Sequence, residues 1–188
     1  MVVPGLGSRR ANHADFARAV AAAGMAALTL DLRGHGDSGG ELDGGAAHDV
    51  AAALDALAAR GHGPLGLRGS SMGGLLALHA AASDERVAAV VAICPARGEA
   101  LAARIGADWP RALRPAPAAG DPRRVARGLW HATGDAQVPW AGTMALAGRL
   151  PPPVRLRVAM GGGHNTLQHD PAVIAETVAF LREHLAGP

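Results

Sequence analysis

The chain has 188 residues, enough for one domain with a single sizeable core and short for two. It is 49% apolar, rich in Ala, Gly and Pro, and free of long charged or Ser/Gln-rich runs, which excludes a disordered or fibrous chain. The formal charge of +2 rests on 18 basic residues, all Arg and all scattered, so no basic block marks a nucleic-acid partner.

The single cysteine, Cys94, cannot form an intrachain disulfide and offers no metal-ligand spacing. It reads as a small buried hydrophobe near a strand end and suits a reducing, cytoplasmic setting. Apolar runs such as Ala88 to Ile93 are too short to cross a bilayer, so no membrane span is expected. Met1 to Gly5 shows no charged leader before an apolar stretch, and no signal peptide is expected.

In chain order, short apolar runs alternate with helical patterns, the sequence form of a parallel sheet with helices on both faces. Six strands are predicted, at Val2 to Val3, Ala26 to Leu30, Leu65 to Arg68, Val87 to Ile93, Gly128 to Ala132 and Val154 to Val158. Val87 to Ile93 is continuously apolar and Ala26 to Leu30 is apolar but for Thr29, as for strands covered on both faces. The last sets Val154, Leu156 and Val158 against Arg155 and Arg157, the alternation of an edge strand with one wet face. Val50, Leu54 and Leu57 fall at helical spacing before a stop at Gly61. Ile174, Val178, Leu181 and Leu185 mark a last helix with Asp170 as N-cap and Pro171 in first position. The Pro-rich stretch from Pro95 to Arg127 breaks the rhythm and reads as a short cap-like excursion over the carboxyl edge of the sheet.

The chemistry concentrates at Gly69-Ser70-Ser71-Met72-Gly73, a G-x-S-x-G sequence between a predicted strand and a predicted helix. A turn sharp enough to project the serine leaves no room for side chains two residues before and after it, which Gly69 and Gly73 satisfy. Ser71 then stands at a helix N-terminus, where backbone N–H groups favour developing negative charge. A serine hydroxyl is a weak nucleophile, so a base and a group orienting that base are expected at later strand ends. Asp135 follows the fifth predicted strand in His131-Ala132-Thr133-Gly134-Asp135, and His164 follows the sixth in Gly161-Gly162-Gly163-His164. Donors to an oxyanion would be the backbone N–H of Met72 and that of Leu6 in the loop Pro4-Gly5-Leu6-Gly7.

Other residues compete for these roles. His169 adjoins the helix cap and is the weaker base; His131, inside a strand, reads as a packed core histidine. Asp108 and Asp121 are second choices as the acid. A metal held by His131, Asp135 and His164 lacks supporting ligand spacing, and neither a metal nor another cofactor is expected. Gly36-Asp37-Ser38-Gly39-Gly40 spells the active serine of chymotrypsin-like proteases, but too little chain precedes it for their barrel. Gly34 to Gly39 also satisfies G-x-G-x-x-G, yet Glu41 to Gly45 separates it from the next helix, unlike a dinucleotide-binding turn.

With these pieces in place the chain resembles the α/β-hydrolase superfamily, in its serine esterase, lipase and aminopeptidase-like branch. The likeness rests on Pro4 to Gly7, the segment Asp31-Leu32-Arg33-Gly34-His35-Gly36-Asp37-Ser38, the elbow around Ser71, Gly134-Asp135 and Gly163-His164, in family order over nearly the whole chain. The resemblance implies an α/β-hydrolase fold with a minimal six-stranded sheet and a structural role for His35. It also implies covalent hydrolysis of esters with small to medium acyl groups through Ser71, His164 and Asp135. Thioesterase chemistry is the nearest rival, because Arg97, Arg104, Arg111 and Arg114 would attract an acidic leaving group. A non-catalytic binding domain of the same fold is the alternative of another class. Trp109 and Trp140 would either line an apolar pocket or pack in the core.

Two departures stand out. Pro4 occupies the position where many relatives carry histidine before the oxyanion glycine, and the chain begins at what resembles the family's third strand. That leaves Ala26 to Leu30 as an unprotected edge, with either a homodimer paired through it or a start further upstream as the expectation.

Overall fold

A computed structural model of the protein describes residues 1–106 and 124–186. Five strands form one parallel sheet in sequential order: β1 (Val2–Val3), β2 (Leu65–Ser70), β3 (Val87–Ile93), β4 (Ala126–Ala132) and β5 (Val154–Ala159). Because every pairing is parallel, all the strands end at the same rim. The helices are α1 (Ala14–Ala22), α2 (Ala46–Ala58), α3 (Met72–Ser83), α4 (Gly98–Ile105), α5 (Trp140–Ala147), the single turn α6 (Thr166–His169) and α7 (Pro171–Leu185).

β3 is continuously apolar because both its faces are covered, and β2 and β4 are buried throughout although each carries polar residues, Arg68 and Ser70 in β2 and Arg127 and His131 in β4. On one side Val3, Leu67 and Val90 pack with Leu54 of α2 and Met72 and Leu76 of α3. On the other, Val2, Val91 and Ile93 meet Phe16 and Val20 of α1 and Phe180 and Leu181 of α7. Burial of these side chains, worth roughly 1.5–3 kcal/mol each, is what seats the helices. The α7 cap is as predicted, with the Asp170 carboxylate accepting from the Ala172 and Val173 N–H groups at 2.8 and 3.3 Å. In β5, Arg155 and Arg157 are exposed while Val154 and Leu156 are half-buried, the wet face expected of an edge strand.

The predicted strand at Ala26 to Leu30 is corrected. That segment touches the sheet only through a bridge between Thr29 and Val2, with Val2 N–H donating to Leu28 carbonyl at 2.8 Å. Its neighbour β1 is two residues long and offers too few backbone groups for a ladder. Ala26 and Ala27 are exposed, so this run is not covered on both faces.

Of the Pro95 to Arg127 excursion, α4 is described and packs Leu101 into the core; Asp108, Trp109, Arg111, Arg114 and Asp121 lie outside the described residues. Trp140 begins α5 with 39% of its surface exposed and is not among the described core residues. No helix among the described residues is long and apolar enough to cross a membrane.

Candidate active site

At the carboxyl rim, β2 runs into α3 through Ser71, whose backbone sits at φ 53° and ψ −121°. A positive φ is costly for a residue with a Cβ, and here the neighbouring chain enforces it. A Cβ on Gly69 would overlap the Gly73 carbonyl, and one on Gly73 would overlap the carbonyls of Val3 and Pro4. The two glycines therefore let the elbow close on itself and on β1, as its spacing predicts. Ser71 is half-buried, and its carbonyl accepts from Ala96 N–H at 3.0 Å, tying the chain after β3 to the elbow.

Asp135 and His164 enter from the turns after β4 and β5. Those turns are stitched together: Gly134 N–H donates to the Gly161 carbonyl at 3.2 Å, and Gly161 N–H to the Thr133 hydroxyl at 2.8 Å. The result places His164 Nδ1 2.6 Å from Asp135 Oδ2. The Asp135 side chain is fully buried and that of His164 is 9% exposed. Burial alone would raise the Asp135 pKa. Hydrogen bonds from His164 and from the Val138 and Gln137 N–H groups outweigh it and hold the carboxyl below its ordinary value. An ionised Asp135 must accept, so Nδ1 of His164 carries the proton and Nε2 is left as the basic nitrogen.

Ser71 and His164 line one cavity of about 200 Å³ together with Leu6, Ser70 and Gln168. The Leu6 loop lies against the elbow, for a Cβ on Gly5 would stand 3.4 Å from Ser71 Cβ. Met72 opens α3, whose N-terminus no side chain caps. Its N–H thus stands at an uncapped helix start next to Ser71, and Leu6 lines the same cavity. His35 has the structural place expected of it: Gly7 N–H donates to its Nε2 at 2.9 Å while its Nδ1 meets the Arg33 carbonyl at 3.0 Å, locking the loop. Behind that loop the Asp31 carboxylate accepts from Arg10 and from Asp37 N–H, and Arg33 is bound to Asp49 and Asp43.

Among the rival residues, His169 and Ser38 are occupied elsewhere, and His131, whose Nε2 lies 3.4 Å from Asp135 Oδ2, is held by other bonds. His169 pairs with Asp15 at 2.8 Å, stacks on His13 with centroids 6.1 Å apart, and does not line the cavity. His131 is fully buried and bonded through Nδ1 to the Thr143 hydroxyl at 2.7 Å and through Nε2 to the Val138 carbonyl at 2.9 Å, a satisfied core histidine. Ser38 donates to the Asp31 carbonyl at 2.8 Å within an exposed turn. Cys94, His131 and Asp135 bring potential ligand atoms within 4.8 Å of one another. Both His131 nitrogens and the Asp135 carboxylate are already engaged, and burial first, with Asp135 adding to it, pushes the Cys94 thiol up to about 12, so this donor set fits an internal hydrogen-bond network better than a cation.

Sequence reasoning missed Arg68, Ser70 and Gln168. Ser70 hydroxyl donates to Gln168 Oε1 at 2.6 Å, and Arg68, 1% exposed, donates to the Gln168 carbonyl at 2.8 Å while lying 4.1 Å over the Phe16 ring. These bonds fasten α6, just beyond His164, to the strand that leads into Ser71. No local pattern announces contacts spanning about a hundred residues.

The family model described as "Serine aminopeptidase, S33" matches residues 1–123. Among solved structures, alpha/beta hydrolase domain-containing protein 10 from mouse is 24% identical with a TM-score of 0.75, covering 97% of this chain and 87% of that one. A monoacylglycerol lipase from Paleococcus ferrophilus is 20% identical at TM-score 0.75, covering 97% and 93%. A Pyrococcus furiosus esterase is 22% identical at TM-score 0.72, covering 98% and 81%. No curated protein matches significantly. The fold and the matched region agree, and the chain belongs to the serine aminopeptidase family of α/β-hydrolases.

Proposed function

We propose that the protein is a serine hydrolase that cleaves carboxylic esters of small to medium acyl groups through an acyl-enzyme intermediate. The observation that carries this reading is the 2.6 Å pairing of His164 with Asp135 beside a serine held at positive φ in the same cavity. In this reading His164 Nε2 takes the Ser71 proton as the hydroxyl oxygen attacks the ester carbonyl. The N–H groups of Leu6 and Met72 receive the oxyanion, and its collapse expels the alcohol, which takes the proton back from His164. Water, activated by the same imidazole, then releases the acid and restores Ser71. Asp135 holds the imidazole in its tautomer and stabilises it when charged. The small cavity favours modest acyl chains, and the likeness to a lipase and an esterase is consistent with ester substrates.

The test is turnover of a p-nitrophenyl ester series of rising chain length by wild type, Ser71→Ala and His164→Ala. The reading expects activity in the wild type, greatest on the shorter esters, and a loss of roughly 10³-fold or more in each variant with the fold intact. Wild-type rates in either variant would reject the assignment, and an inactive but folded wild type would favour a non-catalytic domain.

A further inference from the structure

Resting on the reading of Ser71 as nucleophile, we propose that the substrate of this cavity carries an anionic group, a carboxylate or a phosphate, received by Arg97 and Arg104 at the rim. Arg97, Ala100, Leu101 and Arg104 all line the cavity. Their spacing of three, four and seven residues is that of one helical stripe, so α4 presents the site with a small apolar track between two guanidinium groups. Both arginines are exposed while they line the cavity, which places them at its mouth. Among the described residues that line it, His164 is the other ionisable group, and no carboxylate is present.

Ordinary helix electrostatics account for Arg104 but not for Arg97. Arg104 lies in the last turn of α4, where a cation suits the helix dipole. Arg97 is the N-cap residue, the end at which the same dipole disfavours positive charge. Its partner is Glu99 at 3.7 Å, with the two side chains 66% and 82% exposed, a geometry that contributes little. The chain before Arg97 and the stem of its side chain are nevertheless held in place. The preceding residue, Ala96, is bonded to the Ser71 carbonyl, and the Arg97 stem lies against α5, 3.5 Å from where a Cβ on Gly142 would stand. Two exposed guanidinium groups at the mouth, with no carboxylate among the described lining residues, raise the local concentration of anions and form charge-assisted hydrogen bonds to them.

Two pairs of compounds that differ in charge test this. The mono-4-nitrophenyl ester of adipic acid, set against its methyl ester, places a carboxylate on the acyl side. Hexanoyl-coenzyme A, set against hexanoyl-pantetheine, places phosphates on the leaving group. The proposal expects kcat/KM for the charged member of at least one pair to exceed that of its neutral partner by about tenfold, with the ratio falling as salt rises. Which pair shows it identifies the side that carries the anion. In the double variant Arg97→Gln, Arg104→Gln the ratio should fall toward one. Equal rates within both pairs, or a ratio that survives in the double variant, would overturn the proposal while Ser71-dependent turnover left the esterase reading intact. No turnover of any of the four compounds would remove both.

Discussion

His164 Nδ1 and Asp135 Oδ2 lie 2.6 Å apart, although 29 residues and a whole strand separate them in the chain. The contact depends on β4 and β5 being parallel neighbours, so that the turns after both strands open on one rim. Replacing Asp135 by Asn keeps the size of the side chain and removes the charge. An amide that turns its N–H₂ toward His164 favours the wrong imidazole tautomer, with its proton on Nε2. Ester turnover is expected to fall roughly 10³–10⁴-fold with KM changed much less. A variant within about tenfold of wild type would show that another acid serves His164.

The elbow should be intolerant of a single methyl group. A Cβ at position 73 would overlap two carbonyl oxygens of the β1 end, both of them backbone that cannot swing aside. Gly73→Ala is expected to lower stability by more than about 3 kcal/mol, or to prevent soluble expression, because relief requires moving β1 away from α3. Thermal unfolding of the variant checks this; a melting temperature equal to that of wild type would mean that the elbow is looser than described.

His13 gives the fold a pH dependence with a definite sign. Burial first, then the charges of Arg68 and His169, lower its pKa from an ordinary 6.5 to about 4, against a smaller opposing effect of Asp15. Between those values the unfolded chain binds a proton that the folded one refuses, so stability rises with pH across the window and is lost as pH falls from 6.5 toward 4. The full loss is on the order of 3 kcal/mol. Denaturant unfolding at several pH values should show this slope in wild type and a flatter one in His13→Gln, whose amide can still meet the Ser8 hydroxyl. Equal slopes would contradict a neutral, buried His13.

Much of this arrangement was legible in the residues, and the exceptions have physical causes. Periodicity found β3 and α7 because their apolar patterns are decided by burial on the sheet, and β5 because one of its faces is wet. G-x-S-x-G located the elbow because its glycines are required by contact with nearby backbone. Ala26 to Leu30 misled because an apolar run reports the capacity to form a strand, whereas a ladder also needs a partner long enough to pair with, and β1 is two residues long. Gln168 was invisible for a different reason. Its role follows from bonds to Ser70 and Arg68, and neither its type nor its spacing distinguishes it from any polar residue near a helix cap.

The most direct test of the central claim is covalent labelling of the folded protein with a fluorophosphonate, followed by peptide mass spectrometry. Attack by an activated serine predicts one phosphonylated residue, Ser71, and a large fall in its labelling rate in His164→Ala. Modification at another residue, or labelling as fast in the His164 variant as in wild type, would contradict the account.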